Sequence, residues 1–159
     1  MTIIEFSDYE CPFCKRFHED TFSLIKKDYI ETGKVKFYYM DLPLDFHANA
    51  QKAAEAAECA GVQGKYYEMQ DLLFSEGVEG GVSSYKGYAG DLGLNQEDFD
   101  SCLDDGDMAS EVNADKQKAI ANGFGGTPSF ILNGISVQGA IPYEGGAQGP
   151  GFKDFIEVL

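Results

Sequence analysis

The chain has no tryptophan, a single arginine (Arg16), two histidines and four cysteines. Cations are scarce: 12 Lys and Arg stand against 27 Asp and Glu, a formal net charge of −15. So acidic a surface repels phosphate, which makes nucleic acid and anionic membranes poor partners. The charge serves solubility; a saline habitat or a basic partner is the sharper alternative. No apolar run approaches the roughly 18 residues needed to span a bilayer. No signal peptide precedes the strand-like run that begins at Thr2, so either the protein is cytosolic or Met1 stands where a signal or anchor was removed. Four cysteines are too few for a disulfide-built miniprotein, yet even in number and able to pair.

What is present suits a packed core. The 159 residues are 43% hydrophobic and 13% aromatic, enough for one domain with a sizeable insertion and too apolar for a disordered chain. Thr2–Phe6 reads as a buried strand in which Glu5 is the lone charge. A helix is expected from Pro12 to about Tyr29, with Phe13, Phe17, Leu24 and Ile25 as its apolar positions. Val35–Met40 is a second strand, and strand–helix–strand suggests a parallel pair.

Asp45 to Phe124 carries almost no strand signal. An alanine-rich helix follows Asp45, its expected cap, and stops at Gly61. "KYYEMQDLLF" is a further helix, and "EGGVSSYKGYAGDLG" holds at most a short one. Asn95 caps the helix of "LNQEDFDSCL", with Leu94 and Phe99 placed as a hydrophobic staple. "DMASEVNADKQKAIANG" ends the block. Strands return in "TPSFIL" and "ISVQGA", joined by Asn133-Gly134, a strong hairpin signal. A helix over Phe152–Val158 closes the chain.

Cys11-Pro12-Phe13-Cys14 lies where a strand meets a helix. As a staple it would close a four-residue loop, worth only about 2 kcal/mol. A structural zinc site wants two close ligand pairs, and neither Cys59 and Cys102 nor His18 and His47 supply a second. Redox chemistry fits better. Pro12 suits the first helical turn, which puts Cys11 at the helix N-terminus, where free amides and the helix dipole favour a thiolate. Cys14, one turn on, can resolve a mixed disulfide. Lys15 and Arg16 should lower the Cys11 pKa, and Asp8 and Glu10 should oppose them. Glu5 is either a buried carboxylate beneath the pair, able to exchange a proton with Cys14, or a strand residue facing water. Pro128, which cannot donate to a sheet, reads by itself as an ordinary strand start.

In combination these blocks resemble the thioredoxin fold in its DsbA-like form. "TIIEFSDYECPFCKRF", "HANAQKAAEAAECAG", "QGKYYEMQDLLF", "FDSCLDDG" and "GFGGTPSFILNG...GAIPYE" are similar, in order, to blocks of the BdbD/DsbA-like group of thiol-disulfide oxidoreductases. The resemblance implies that Cys11 is the exposed nucleophile, Cys14 the resolving cysteine and Glu5 the buried acid. It also implies a cis Pro128 facing the cysteines and a Thr127 backbone that pairs with an extended substrate. Cys59 and Cys102 each fall on an apolar helix face and would by themselves read as buried free thiols. The resemblance implies instead a structural bridge, worth about 4 kcal/mol, and with it an oxidising compartment.

Three departures stand out. The strand usual before Thr2 is missing, which suggests truncation or an unusual start. Pro-Phe replaces the Pro-His of the best-known oxidant, which implies a weaker oxidant. The loop Gly145–Gly151 looks inserted, and is either a floppy surface loop or a mobile groove rim. Asp104, Asp105 and Asp107 lack the ordered ligand ladder of an EF-hand and read as a solvated helix cap. His18 and His47 read as surface or cap residues, and Tyr66, Tyr67 and Phe74 as core.

The expectation is an α/β thioredoxin fold, with residues 1–43 and 125–159 as the thioredoxin-like domain and 44–124 as an inserted all-helical region. The implied activity is a disulfide oxidase acting through Cys11, Cys14, Glu5, Pro12, Phe13, Thr127 and Pro128. No cofactor and no metal are expected. The implied partners are reduced or unfolded proteins and a membrane or soluble re-oxidising protein, and the setting is extracytoplasmic, with the chain a monomer. A reductase or isomerase on the same fold, or a non-catalytic binding module, are the alternatives.

Overall fold

The computed structural model describes residues 1–159. β1 (Thr2–Ser7), β2 (Lys36–Asp41), β3 (Ser129–Leu132) and β4 (Ile135–Gln138) form one sheet in the order β2-β1-β3-β4. β1 pairs parallel with β2, whereas β3 runs antiparallel to both β1 and β4. Asn133 and Gly134 make the β3–β4 turn, both with positive φ (46° and 92°), as a two-residue hairpin turn requires.

Residues 12–30 are one helical run: α1 (Pro12–Arg16), a π-helical stretch (Phe17–Phe22), α2 (Ser23–Ile25) and a second π-helical stretch (Lys26–Ile30). The winding follows from the sequence. Phe17, Thr21, Ile25 and Tyr29 are all buried and recur every four residues. That period exceeds the 3.6 of an α-helix, and wider π turns keep the four on one face. Leu24 lies off that face and is exposed. Phe13 lies at the open tip, 55% exposed, with the Arg16 guanidinium 5.3 Å from its ring centre. Neither packs as the pattern of apolar residues suggested.

Between β2 and β3 the chain is helical: α3 (Ala50–Val62), α4 (Tyr66–Ser75), α5 (Gly81–Asp91), α6 (Gln96–Asp104) and α7 (Ala109–Ala121). α8 (Phe152–Val158) follows the hairpin. Asn95 caps α6 as expected, its Oδ1 accepting from the Asp98 amide at 3.0 Å. Other boundaries differ. Asn49, not Asp45, precedes α3, and Asp45 is exposed and paired with Lys116. Gly61 lies inside α3, and the chain turns at Gly64, where φ is +78°. α5 runs eleven residues where little helix was expected. Its glycines disfavour helix, but Tyr85 and Ala89, one turn apart, are fully buried, and packing overrides propensity. Tyr67 is exposed rather than core. Within the Gly145–Gly151 loop, Gly146 and Gly149 exchange backbone hydrogen bonds, and the Gly151 amide donates to Asp154 at 2.8 Å.

Three apolar clusters hold these layers. Ile3, Phe17, Ile25, Phe130, Leu132 and Phe152 fill one face of the sheet. Phe6, Leu42, Ala119 and Phe124 fill the other. The largest cluster joins the helices α3 to α7 and also takes in Tyr9, Cys11 and Cys14. The cysteine pair therefore sits at the seam between the sheet and the helical region. No helix is long and apolar enough to cross a membrane.

Candidate active site

Cys11 precedes α1 in extended conformation and Pro12 opens the helix. Lys15 N–H closes the first turn on the Cys11 carbonyl at 3.1 Å, so the first-turn amides point toward the cysteine end. Both thiols are free. Cys14 is fully buried and Cys11 is 5% exposed. The expected exposed nucleophile is thus largely covered, because Tyr9, Cys11 and Cys14 pack against the helical cluster.

Thr127 and Pro128 arrive from the far end of the sequence. The Thr127–Pro128 peptide is cis, and the Cys11 thiol donates to the Thr127 carbonyl at 3.5 Å.

The two thiols have opposite environments. Cys11 is lowered from its ordinary value to about 5. The hydrogen bond from the Cys14 thiol is the main cause. Burial opposes it, and the Thr127 side chain with the amides of Cys14 and Phe13 adds to it. Burial pushes Cys14 well above the ordinary thiol range, reinforced by the Cys11 charge and by Glu5. The cations expected to help are engaged elsewhere: Lys15 lies 3.9 Å from Glu19, and Arg16 covers Phe13. Hydrogen bonds, the Cys14 thiol first, and not side-chain cations favour the Cys11 thiolate.

Glu5 is 3% exposed. It shares the inward face of β1 with Ile3 and Ser7, since alternate strand residues share a face. In register it lies between Tyr39 of β2 and Phe130 of β3. This loss of water raises its carboxyl to about 8, and the Ser7 hydroxyl pulls back only in part. Asp8 does not sit free beside Cys11. Its carboxylate accepts from the Glu10 and Leu44 amides, each at 2.8 Å, and lies 2.8 Å from His47 Nδ1. Glu10 in turn accepts from the Asn49 amide at 2.8 Å.

The histidines, expected as surface or cap residues, are both half-buried and paired with carboxylates. His47 is held by Asp8, and His18 stacks on Phe74 with its Nε2 3.0 Å from Asp71. Cys59 of α3 and Cys102 of α6 are joined by a disulfide. Asp104 pairs with Lys86 at 2.7 Å and Asp105 follows the end of α6.

One group escaped sequence reasoning. Asp41 of β2, Glu58 of α3 and Asp115 of α7 bring carboxylate oxygens within 4.8 Å of one another and are the residues that could hold a cation. Asp41 is buried and neither of its oxygens has a hydrogen-bond partner. Burial first, then the charges of Glu58 and Asp115, push its carboxyl well above the usual range. The three are too far apart in sequence, on three elements, for any local motif to reveal them.

The family model described as thioredoxin matches residues 1–148. Disulfide bond formation protein D of Bacillus subtilis is 28% identical over 153 residues, covering 91% of this chain and 68% of that protein. The Na(+)/H(+) antiporter NhaA 1 of Salinispora arenicola is 34% identical over 145 residues, 91% of this chain. The chain spans only 22% of that antiporter's length. The crystal structure of oxidised BdbD from Bacillus subtilis superposes with a TM-score of 0.76 at 27% identity, covering 86% of this chain and 77% of the other.

Proposed function

The chain belongs to the thioredoxin family, and from that premise we propose that it is a DsbA-like protein thiol-disulfide oxidoreductase that donates the Cys11–Cys14 disulfide to folding extracytoplasmic proteins. The observation that carries this reading is the unequal cysteine pair. Cys11 at the helix N-terminus favours its thiolate, Cys14 one turn on is held as a thiol, and Glu5 lies on the inward face beneath them.

A substrate thiolate attacks Cys11 Sγ. The Cys11–Cys14 bond breaks, its electron pair stays on Cys14 Sγ, and that sulfur takes a proton. Glu5 is the donor: with its pKa raised to about 8, most of its carboxyl is protonated at neutral pH. A second substrate thiolate attacks the substrate sulfur of the mixed disulfide, and Cys11 departs as a thiolate. The substrate leaves with a disulfide and the enzyme with two added electrons, which a membrane or soluble re-oxidising partner must remove. A well-stabilised Cys11 thiolate favours the reduced enzyme, the direction of an oxidant. That favours the oxidase over a reductase or isomerase.

Thr127 and Pro128 form the wall opposite Cys11, where an extended substrate would lie, and Pro12 and Phe13 form its rim. Residues 1–43 and 125–159 act as the thioredoxin-like domain and 44–124 as the helical insertion, a division supported by the lack of strands between Asp41 and Ser129. The Cys59–Cys102 bridge supports an oxidising, extracytoplasmic setting.

The test is the equilibrium of the Cys11–Cys14 couple with glutathione. A potential well above the roughly −270 mV of thioredoxin supports an oxidase, and one at that value reassigns the protein to reduction.

A further inference from the structure

His47 belongs to the connection between β2 and α3, yet it reaches the loop that carries Cys11. Two carboxylates tie those segments together. Asp8 holds His47 Nδ1 and the Leu44 amide, each at 2.8 Å, while its carbonyl accepts from the Cys11 amide at 3.1 Å. Glu10, the neighbour of Cys11, accepts from both the amide and the side chain of Asn49, at 2.8 and 3.4 Å. The Asp8 side chain is fully covered and that of His47 is 17% exposed. One residue thus bonds to the backbone of Cys11 and to the ring of His47, and the imidazole is held in place by a carboxylate that has no other counter-charge.

We propose that His47 is a positioning residue for Cys11: held by Asp8, its imidazole gains a proton when the Cys11–Cys14 disulfide is reduced and gives it up when the disulfide forms. This rests on the reading of Cys11 as a thiolate-forming cysteine.

The charge balance is direct. Reduction adds two electrons and one proton to the disulfide, leaving Cys11 as thiolate and Cys14 as thiol. The new negative charge sits one residue-link away, through Asp8, and is among the charges that raise the proton affinity of the His47 ring. The charges that act on His47 are those of Asp8, which contacts its ring, and of Glu10 and Cys11, all from the β1–α1 loop. On its own loop, Asp45 is engaged by Lys116 from α7. Partial burial lowers the His47 pKa, and the Asp8 bond with the charges of Asp8, Glu10 and Cys11 outweighs it, so the net shift is upward. Asp8 and Glu10 are present in both redox states, and only the Cys11 charge comes and goes. Coupling is reciprocal: whatever the thiolate does for the imidazolium, the imidazolium does for the thiolate.

The experiment is a pH titration of the His47 ring protons by NMR in the reduced and oxidised protein. His18 is the only other histidine, and a His18→Gln variant assigns the two sets of signals. The expected result is a His47 pKa several-fold higher in proton affinity in the reduced protein. A parallel titration of Cys11 thiolate absorbance should show a several-fold weaker acid in His47→Asn, with the wild-type fold confirmed by circular dichroism. Identical His47 titrations in the two redox states would overturn the proposal without recourse to any variant. So would an unchanged Cys11 titration in a folded His47→Asn. If the wild-type Cys11 itself shows no low pKa, the oxidase reading falls together with this one. If Cys11 is low but indifferent to His47, only the role of His47 falls.

Discussion

Glu5 of β1 stands in register with Phe130 of β3, a carboxyl beside a fully buried aromatic ring. The pairing puts the one acidic residue of β1 on the face that holds Ile3, Phe17 and Phe152. A carboxylate there lacks water, and its proton is held far more tightly than in the unfolded chain.

The sign of the pH effect follows. The folded pKa of Glu5 is raised from 4.5 to about 8, so the folded state binds the extra proton. The stability this group allows is complete below pH 4.5 and is lost as the pH rises toward about 8. Glu5→Gln should therefore stabilise the protein at pH 7, by up to about 3 kcal/mol on linkage arithmetic, and have little effect at pH 4. Urea denaturation at the two pH values measures this. The same variant should slow release of Cys14, by roughly a hundredfold for a lost general acid, in stopped-flow reduction by a model dithiol.

Asp41 obeys the same sign, with neighbouring carboxylate charges added to burial. Burial and the charges of Glu58 and Asp115 raise its folded pKa. Stability is again present at low pH and lost as the pH rises above the ordinary carboxylate range. Asp41→Asn should raise the melting temperature at pH 7 and leave it nearly unchanged at pH 3. An equal shift at both pH values would mean that the carboxylate charge is not what costs stability.

The two active-site thiols should differ sharply in reactivity. With Cys11 at about 5 and Cys14 raised and fully buried, brief iodoacetamide treatment of the reduced protein at pH 6 should alkylate Cys11 alone. Peptide mass mapping reads the outcome. On the proposed mechanism, Cys11→Ser should abolish oxidase turnover, and Cys14→Ser should accumulate a mixed disulfide on Cys11, visible as an added substrate mass.

Cys59 and Cys102 hold α3 to α6 and lie apart from the redox pair in sequence. Replacing both with serine should cost about 4 kcal/mol, seen as a lower denaturation midpoint. The Cys11 thiolate titration of the folded variant should stay where it was, because none of the groups that lower Cys11 belongs to that bridge.

Much of the framework is legible along the chain because its causes are local. Pro12 can open a helix but not continue one. Asn133-Gly134 satisfies a turn that needs two positive φ values. The apolar run of Ile3, Ile4 and Phe6 around the lone Glu5 marks a buried strand. α5 was not legible, since Tyr85 forms its helix by packing into a core that the segment itself does not contain. The true entry to α3 was not legible either: Asp45 and Asn49 are both good caps, and Glu10, from the β1–α1 loop, claims the Asn49 amide.

The cysteine site divides the same way. A CxxC with proline as its second residue announces a helix-tip thiolate from its own residues, because the amides that stabilise it are a few bonds away. Residues alone left Glu5 undecided between core and water, and the sheet register with Tyr39 and Phe130 put it inside. The tie from Cys11 through Asp8 to His47, and the meeting of Asp41, Glu58 and Asp115, have no signature in the chain. Those side chains come together only when β2 lies beside β1 and the helices close over them, and their proton affinities are set by the water that this packing removes.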